Sequence, residues 1–304
     1  MKNPPCSGPN SRKRRLIVNA DDFGFTRGVN RAVERCFTRG TVRSASLMAG
    51  GSAFEDAARL ARSLPGLGVG AHLVLTGLRA VSEPGSLPGL ADSRGFLPPS
   101  PGALIERLLR FPDARASVFR ELNAQLSRIV DAGIRPTHLD SHKHVHILPP
   151  VLRSVTDLAR KYSVRWIRNP FEVENAGSLL RGVAPSHRKA FWKQHVKSLV
   201  ARVFRPGFMG HVGTTGLRLP DRFHGVSLTG LWNEEAALHT IGRLSPGLNE
   251  WMFHPGEADE ELHRTGTRLT TQREVEMNLL CSSRLKEALE QAGMELTHFG
   301  EVKD

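Results

Sequence analysis

Leu16-Ile17-Val18-Asn19-Ala20-Asp21-Asp22-Phe23-Gly24 is an apolar run that ends in two adjacent carboxylates and a glycine, and a helical pattern begins only after it. In parallel α/β folds, sites form where a strand ends and the next helix has yet to start. The rest of the chain is therefore read as supplying partners for Asp21 and Asp22. Immediately downstream, Val29, Ala32, Val33, Cys36 and Phe37 recur at helical spacing, with Thr26 as the cap and Gly40 as the stop. Together these make one βα unit.

The unit recurs along the chain. Further short strands are expected at 44–48, 68–75, 136–146, 164–168, 225–229, 250–254 and 295–299. Helical patterns fall between them, at 113–132, 149–158, 234–244 and 271–292, and Ser52-Ala53-Phe54-Glu55 has capping-box form ahead of a helix to Ser63. Seven to eight strands alternating with helices predict an α/β protein built as a single TIM-barrel-like (β/α) barrel. Residues 77–112 are rich in Pro, Gly and Ser and are read as a long loop, a lid or substrate wall. Phe191, Trp192, Val196, Leu199, Val200, Val203 and Phe204 are interleaved with Lys193, Lys197, Arg202 and Arg205, which predicts a basic amphipathic helix, read first as packed on the domain with its basic face in water and second as a membrane-surface helix.

Composition narrows the class. The chain has 304 residues, 39% of them hydrophobic, and a mean hydropathy of −0.28. No stretch approaches the ~18 uninterrupted apolar residues of a spanning helix. Residues 1–14 carry Pro4, Pro5, Pro9 and a basic run without an apolar segment, and are expected to be a disordered basic tail ahead of one domain at 15–304. Cys6, Cys36 and Cys281 are odd in number and lack metal or redox spacing, which fits a cytoplasmic protein. A net charge of +12 suggests an anionic partner. With Tyr162 the only tyrosine and no aromatic-interleaved RNA motif, nucleic acid is the weaker form of that idea, and the surface of a membrane the stronger.

The densest set of ligand-type side chains is Pro136-Thr137-His138-Leu139-Asp140-Ser141-His142-Lys143-His144-Val145-His146. Strand alternation would put His138, Asp140, His142, His144 and His146 on one face for as long as the strand lasts. His72 interrupts an earlier strand. With Asp22, His72 and one histidine of the cluster arriving from three strand ends, an open N/O metal site is expected. Same-face residues lie about 6.6–7 Å apart, so periodicity leaves open whether His142 or His144 binds. Adjacent carboxylates point to opposite strand faces; Asp21 and Asp22 can play different roles only if the backbone turns, and Gly24 is the residue expected to permit it.

Asn19-Ala20-Asp21-Asp22-Phe23-Gly24, Gly70-Ala71-His72-Leu73 and the 137–146 cluster, followed by Arg168-Asn169-Pro170, Trp251-Met252-Phe253-His254-Pro255-Gly256 and Arg273-Glu274-Val275-Glu276, resemble the YdjC-like carbohydrate deacetylase family in order and kind. The resemblance covers nearly all of the chain from Arg15 onward. It implies a barrel hydrolase that removes acetyl groups from N-acetylated amino sugars with one divalent ion, Mg2+ first and Zn2+ or Mn2+ as substitutes. Carried over, Asp22, His72 and His142 would be the metal ligands, Asp21 the catalytic base and His254 the acid. Arg168, Asp140, His144 and His146 would contact the substrate or support the ligands. Two subgroups are similar: one acts on soluble chito-oligosaccharides, and a hopanoid-biosynthesis-associated one would act on a lipid-linked N-acetylglucosamine. The basic charge leans towards the second, with peripheral contact at the inner membrane surface; a homodimer is a further expectation. The rival readings are a metal-dependent phosphoesterase, which usually needs a second ion about 3.5 to 4 Å from the first, and a non-catalytic metal- or sugar-binding regulator.

Overall fold

A computed structural model describes residues 13–172 and 174–302. Seven strands, β1 (Arg14–Phe23), β2 (Ser44–Leu47), β3 (Gly68–Leu73), β4 (Leu139–Ser141), β5 (Arg222–His224), β6 (Gly247–Phe253) and β7 (Glu295–Thr297), form one parallel sheet in the order β4-β3-β2-β1-β6-β5. β7 shares an edge of β1, pairing along Arg15–Ile17. Among the described residues twelve α-helices accompany them: α1 (Arg27–Arg39), α2 (Phe54–Ser63), α3 (Pro101–Arg110), α4 (Ala114–Asp131), α5 (Pro149–Lys161), α6 (Ala176–Leu179), α7 (Arg188–Ala201), α8 (Arg205–Gly213), α9 (Glu234–Ile241), α10 (Glu260–Arg264), α11 (Thr271–Leu280) and α12 (Ser283–Gln291). No helix among the described residues is long and apolar enough to cross a membrane.

The expected α/β class and parallel strands are present, but the sheet is a partial barrel and not a closed one. The strand expected at 164–168 makes only single bridges, Ile167 to Leu139 and Trp166 to Arg218, before Pro170, which has no N–H to continue a ladder. The strand expected at 225–229 lies earlier, at β5. There the Gly225 and Ser227 N–H groups turn away from the sheet to donate to the Glu172 carboxylate at 2.8 and 3.1 Å.

β1 runs through the middle of the sheet, and its two faces do different work. Leu16, Val18 and Ala20 join the large core beneath the helices, whereas Ile17 packs with Trp166, Leu248, Phe299 and Val302. Asn19 and Asp21 continue the Ile17 face upward, so this second face changes from apolar to polar towards the strand ends. Arg14 already belongs to β1, with its guanidinium on the carbonyls of Ala292 and Leu244 at 2.8 Å. The tail expected at 1–14 otherwise falls on residues 1–12, outside the described residues, as does Cys6.

Three local expectations need correction. Residues 77–112 contain a helix: Ser100 caps α3, Pro101 opens it, and Leu104 and Leu108 are buried one turn apart. The preceding loop is fastened, since Glu121 accepts from the Val81 and Ser82 N–H groups at 2.9 and 3.0 Å. Ser52 does not cap α2; Ala53 holds that position, and the Ser52 hydroxyl donates to Phe25 O. Finally, the basic apolar stretch is two helices broken by a turn at Arg202–Phe204, and its apolar residues do not share one face: Phe191 is buried while Trp192, Val196, Leu199, Val200 and Val203 are exposed.

Candidate active site

The backbone turns at Asp22 itself. Asp22 has φ 65°, and the β1–β2 register shifts between Ala20 and Phe23. This bulge separates the two carboxylates, which a regular strand would also separate but aim at opposite faces. Asp tolerates the left-handed region better than most residues. Gly24, at φ 90°, completes the reversal; its N–H donates to Asn30 Oδ1 at 2.8 Å, and a Cβ there would stand 3.0 Å from Leu47 Cδ1 and 3.1 Å from Met48 O.

Asp22, His72 and His142 meet at these strand ends, with their ligand atoms within 4.8 Å of one another. Asp22 Oδ1 lies 3.4 Å from His72 Nε2 and 3.3 Å from His142 Nδ1, yet it is buried without a hydrogen bond among the described residues. Buried polar atoms are normally satisfied, so an orphaned carboxylate oxygen facing two imidazoles asks for a partner. Its other oxygen, Oδ2, accepts from Arg273 Nη2 at 2.5 Å. Burial would push the Asp22 pKa up, but Arg273 and the two histidines outweigh it and hold the carboxyl well below its usual range.

β3 and β4 pair His72 with Asp140, which brings the two side chains together on one face. His72 Nδ1 and Asp140 Oδ1 are 2.9 Å apart. With Nδ1–H donating to the carboxylate, Nε2 is the ring nitrogen that faces Asp22. A carboxylate behind a histidine is the usual means of fixing the tautomer of a metal-ligating ring. Burial disfavours the charged imidazole, but Asp140, Asp22 and Asp21 together push the His72 pKa up to about 10. The pocket thus stabilises positive charge where the three ligand atoms converge. Carboxylates also outnumber guanidiniums here: Asp21, Asp22, Asp140 and Glu250 face Arg168 and Arg273. The group can hold a divalent cation.

Behind the ligands lies Arg168, fully buried and shared among three carboxylates. Its Nη1 and Nη2 donate to Asp21 Oδ2 and Oδ1 at 2.7 Å, Nη1 also lies 2.7 Å from Asp140 Oδ2, and Nε donates to Glu250 Oε1 at 2.6 Å. Asp21 Oδ1 further accepts from Asn19 Nδ2 at 2.8 Å. A second group that could take a cation, Asp21, His72 and Asp140, is the one whose carboxylates this guanidinium bridges. Glu250 is pushed up to about 7 by burial, with Asp140 and Asp21 adding to it and Arg168 opposing.

The other expected site residues divide. His254 sits at the rim with Nδ1 buried and unpartnered among the described residues, and its backbone N–H is held by Glu276 Oε2 at 2.5 Å. Burial brings its imidazole pKa down to about 4, against the pull of Asp22 and Asp21. His144 and His146 do not share a face with His142. β4 ends at Ser141, and Lys143 and His144 take left-handed conformations, φ 56° and 55°. His146 is fully buried between Ser141 Oγ at 2.6 Å and Arg168 O at 3.3 Å. Neither it nor Arg168 presents an atom to solvent, which fits the supporting one of the two roles expected of them. Asp140 is likewise enclosed by His72, Ser46 and Arg168. His138 lies deeper, on Ser46 Oγ at 3.1 Å, in space kept open because Gly70 has no Cβ.

Arg273, Glu276 and Glu250 belong to this network without having been assigned a role from sequence. Glu250 carried a signal: an acidic residue inside a fully buried strand needs a cation. Arg273 and Glu276, three apart on α11 and both buried, carried a weaker one.

A family model described as YdjC-like protein matches residues 15–291. A carbohydrate deacetylase of Geobacillus stearothermophilus is 35% identical, with 95% of this chain and 98% of the relative aligned. One of Brevibacillus brevis is 32% identical over 95% of this chain and 99% of its own length. Among solved structures, a proposed cellobiose-phosphate cleavage protein of Enterococcus faecalis superposes with a TM-score of 0.71 at 25% identity, covering 94% of this chain and 98% of that one. With the match running through β1, the histidine cluster and α11, the chain belongs to the YdjC-like family.

Proposed function

We propose that the protein is a carbohydrate deacetylase that hydrolyses the acetamido group of an N-acetylated amino sugar, with one divalent cation held by Asp22, His72 and His142. The observation that carries the reading is Asp22 Oδ1, orphaned between two imidazole nitrogens while Asp21, the next residue, is turned out of the ligand set. The names of the aligned deacetylases support the sugar and the reaction. The N/O donor set suits Mg2+, Mn2+ and Zn2+; we assign Mg2+ first. A bound ion of this kind lowers the pKa of water and polarises a carbonyl.

The chain's own residues divide the remaining work. A carboxylate offers about four acceptor sites. Asn19 and Arg168 fill both on Asp21 Oδ1, and Arg168 fills one on Oδ2. The one left, on Oδ2, is free to take the proton of an attacking water, the general-base role. The bidentate guanidinium fixes the carboxylate plane and so the direction of that transfer. His254 serves the departing amine. Its ring is neutral at pH 7 and must gain a proton first, and Glu276, pushed up to about 7 by burial, sits 4.0 Å from its Nδ1 as the adjacent acid. Arg168 across the second acidic group speaks against a two-ion phosphoesterase.

Acetate release from chito-oligosaccharides tests the reading. Chelation should abolish it, Mg2+, Mn2+ or Zn2+ should restore it, and Asp21→Asn should lower kcat by about 10²–10⁴ with metal still bound. Acetate release by Asp21→Asn at the parent rate would sink the base assignment; no release with any metal would leave a sugar- or metal-binding regulator.

A further inference from the structure

α7 and the turn after it carry an unusual surface. Trp192, Val196 and Val200 follow one another along the helix at four-residue intervals, as do Leu199 and, in the turn, Val203 beside them, and all five are exposed, Val200 at 60% and Val203 at 77%. Lys189, Lys193 and Lys197 form a second row of the same spacing along one border of that stripe. The buried side of α7 is a different set, Phe191, His195 and Ser198. His195 Nδ1 lies 3.0 Å from Ser227 Oγ, which is itself bound to Glu172, and Arg202 Nη2 donates to Glu172 O at 2.7 Å. The apolar stripe is therefore presented outward by a helix that is fastened from behind. Between residues 175 and 220 there are eight Lys and Arg and no Asp or Glu, so the patch lies in the most one-sided charge of the chain.

We propose that this face docks the protein on an anionic lipid surface. An exposed apolar stripe bordered by lysines is the composition of a helix that lies in the plane of a bilayer, its apolar residues among acyl chains and its ammonium groups at the headgroups. A nucleic acid would use the lysines but gain little from three exposed valines. A second copy fits poorly, because antiparallel pairing of two α7 helices about a two-fold axis sets the lysine rows on the same side, like charge against like.

Vesicle flotation tests the docking apart from the chemistry. The parent protein should float with phosphatidylcholine vesicles containing phosphatidylglycerol and not with phosphatidylcholine alone, and high salt should release it. Val200→Asp with Val203→Asp should lower the partition coefficient more than ~10-fold, and Lys189→Glu with Lys193→Glu about 5-fold or more for each lysine lost. All four positions are exposed, so melting temperature and acetate release from a soluble chito-oligosaccharide should stay at parent values. Equal flotation of parent and variants, or none of the parent with either vesicle, overturns the proposal. So does a parent dimer in sedimentation velocity that Val200→Asp dissolves. Absent acetate release with intact flotation would instead count against the deacetylase reading alone.

Discussion

Replacing Arg168 by Met removes the group on which the polar interior is built. The side chain is isosteric enough to fill the space, but it withdraws every donor now given to Asp21, Asp140 and Glu250 at 2.6–2.7 Å. Removing one partner of a buried ion pair costs about 3–5 kcal/mol, because the other is left as an uncompensated charge. Here three carboxylates are left, and they can relieve part of the cost by taking up protons. Glu250 is already poised to do so, its pKa near 7 where an unfolded Glu lies near ~4.3. A raised carboxylate pKa favours the folded state at low pH and loses that contribution as pH rises through the folded value. The deficit of Arg168→Met should therefore be smallest near pH 5 and grow towards pH 8. At about 2–4 °C per kcal/mol for a chain of this size class, the melting temperature should fall by roughly 6–20 °C at neutral pH. Adding Glu250→Gln should recover part of the loss, since it removes one of the stranded carboxylates. Arg168→Lys should not restore the parent, as one ammonium cannot reproduce a planar fork shared by three acids. Differential scanning calorimetry from pH 5 to 8 is the assay. A melting temperature within about 2 °C of the parent's across that range, on the same scaling, would refute the view that Arg168 organises the site.

Further perturbations separate the parts. Asp140→Asn can keep its oxygen on His72 Nδ1–H only by turning its amide donors towards Arg168 and Ser46, so divalent-metal affinity measured by calorimetry should drop about 10–100-fold; unchanged affinity would remove Asp140 as the residue that orients His72. Gly24→Ala forces a Cβ at φ 90° to within 3.0 Å of Leu47 and 3.1 Å of Met48 O. It should cost about 1–3 kcal/mol in urea unfolding, and a loss below about 0.5 would show that the turn can relax. Glu276 carries its proton below about 7 and loses it above, so in the parent kcat should decline on the alkaline side of that value. Glu276→Gln should flatten this limb, and an identical profile would exclude Glu276 from proton supply to His254.

How much of this was legible depended on distance along the chain and on where strands stop. Asp22 sits where an apolar run ends and His72 interrupts one, local signals that survive in a single sequence, whereas His142 was singled out from its cluster only by the family resemblance. The cluster from His138 to His146 misled for the same reason: alternation is a property of extended backbone, and β4 lasts only from Leu139 to Ser141. Past it, the left-handed Lys143 and His144 send His144 and His146 in directions that no period of two describes. The turn that separates the carboxylates was expected at Gly24, but Asp22 carries it as well, since a bulge depends on the neighbouring strand's register and not on residue type alone. Arg273 lies 251 residues from the carboxylate it holds, and nothing local announces such a pairing. The barrel was over-read where 164–168 has strand composition but the chain leaves at Asn169-Pro170 after two bridges.

The central claim is the division of labour between two adjacent aspartates, and anomalous diffraction from crystals soaked in Mn2+ or Zn2+ addresses it directly. The account predicts a single ion bound by Asp22 Oδ1, His72 Nε2 and His142 Nδ1 at about 2.0–2.2 Å, with Asp21 still paired to Arg168 and outside the coordination sphere. An ion ligated by Asp21, a second ion between Asp21 and Asp140, or no peak among these residues would contradict it.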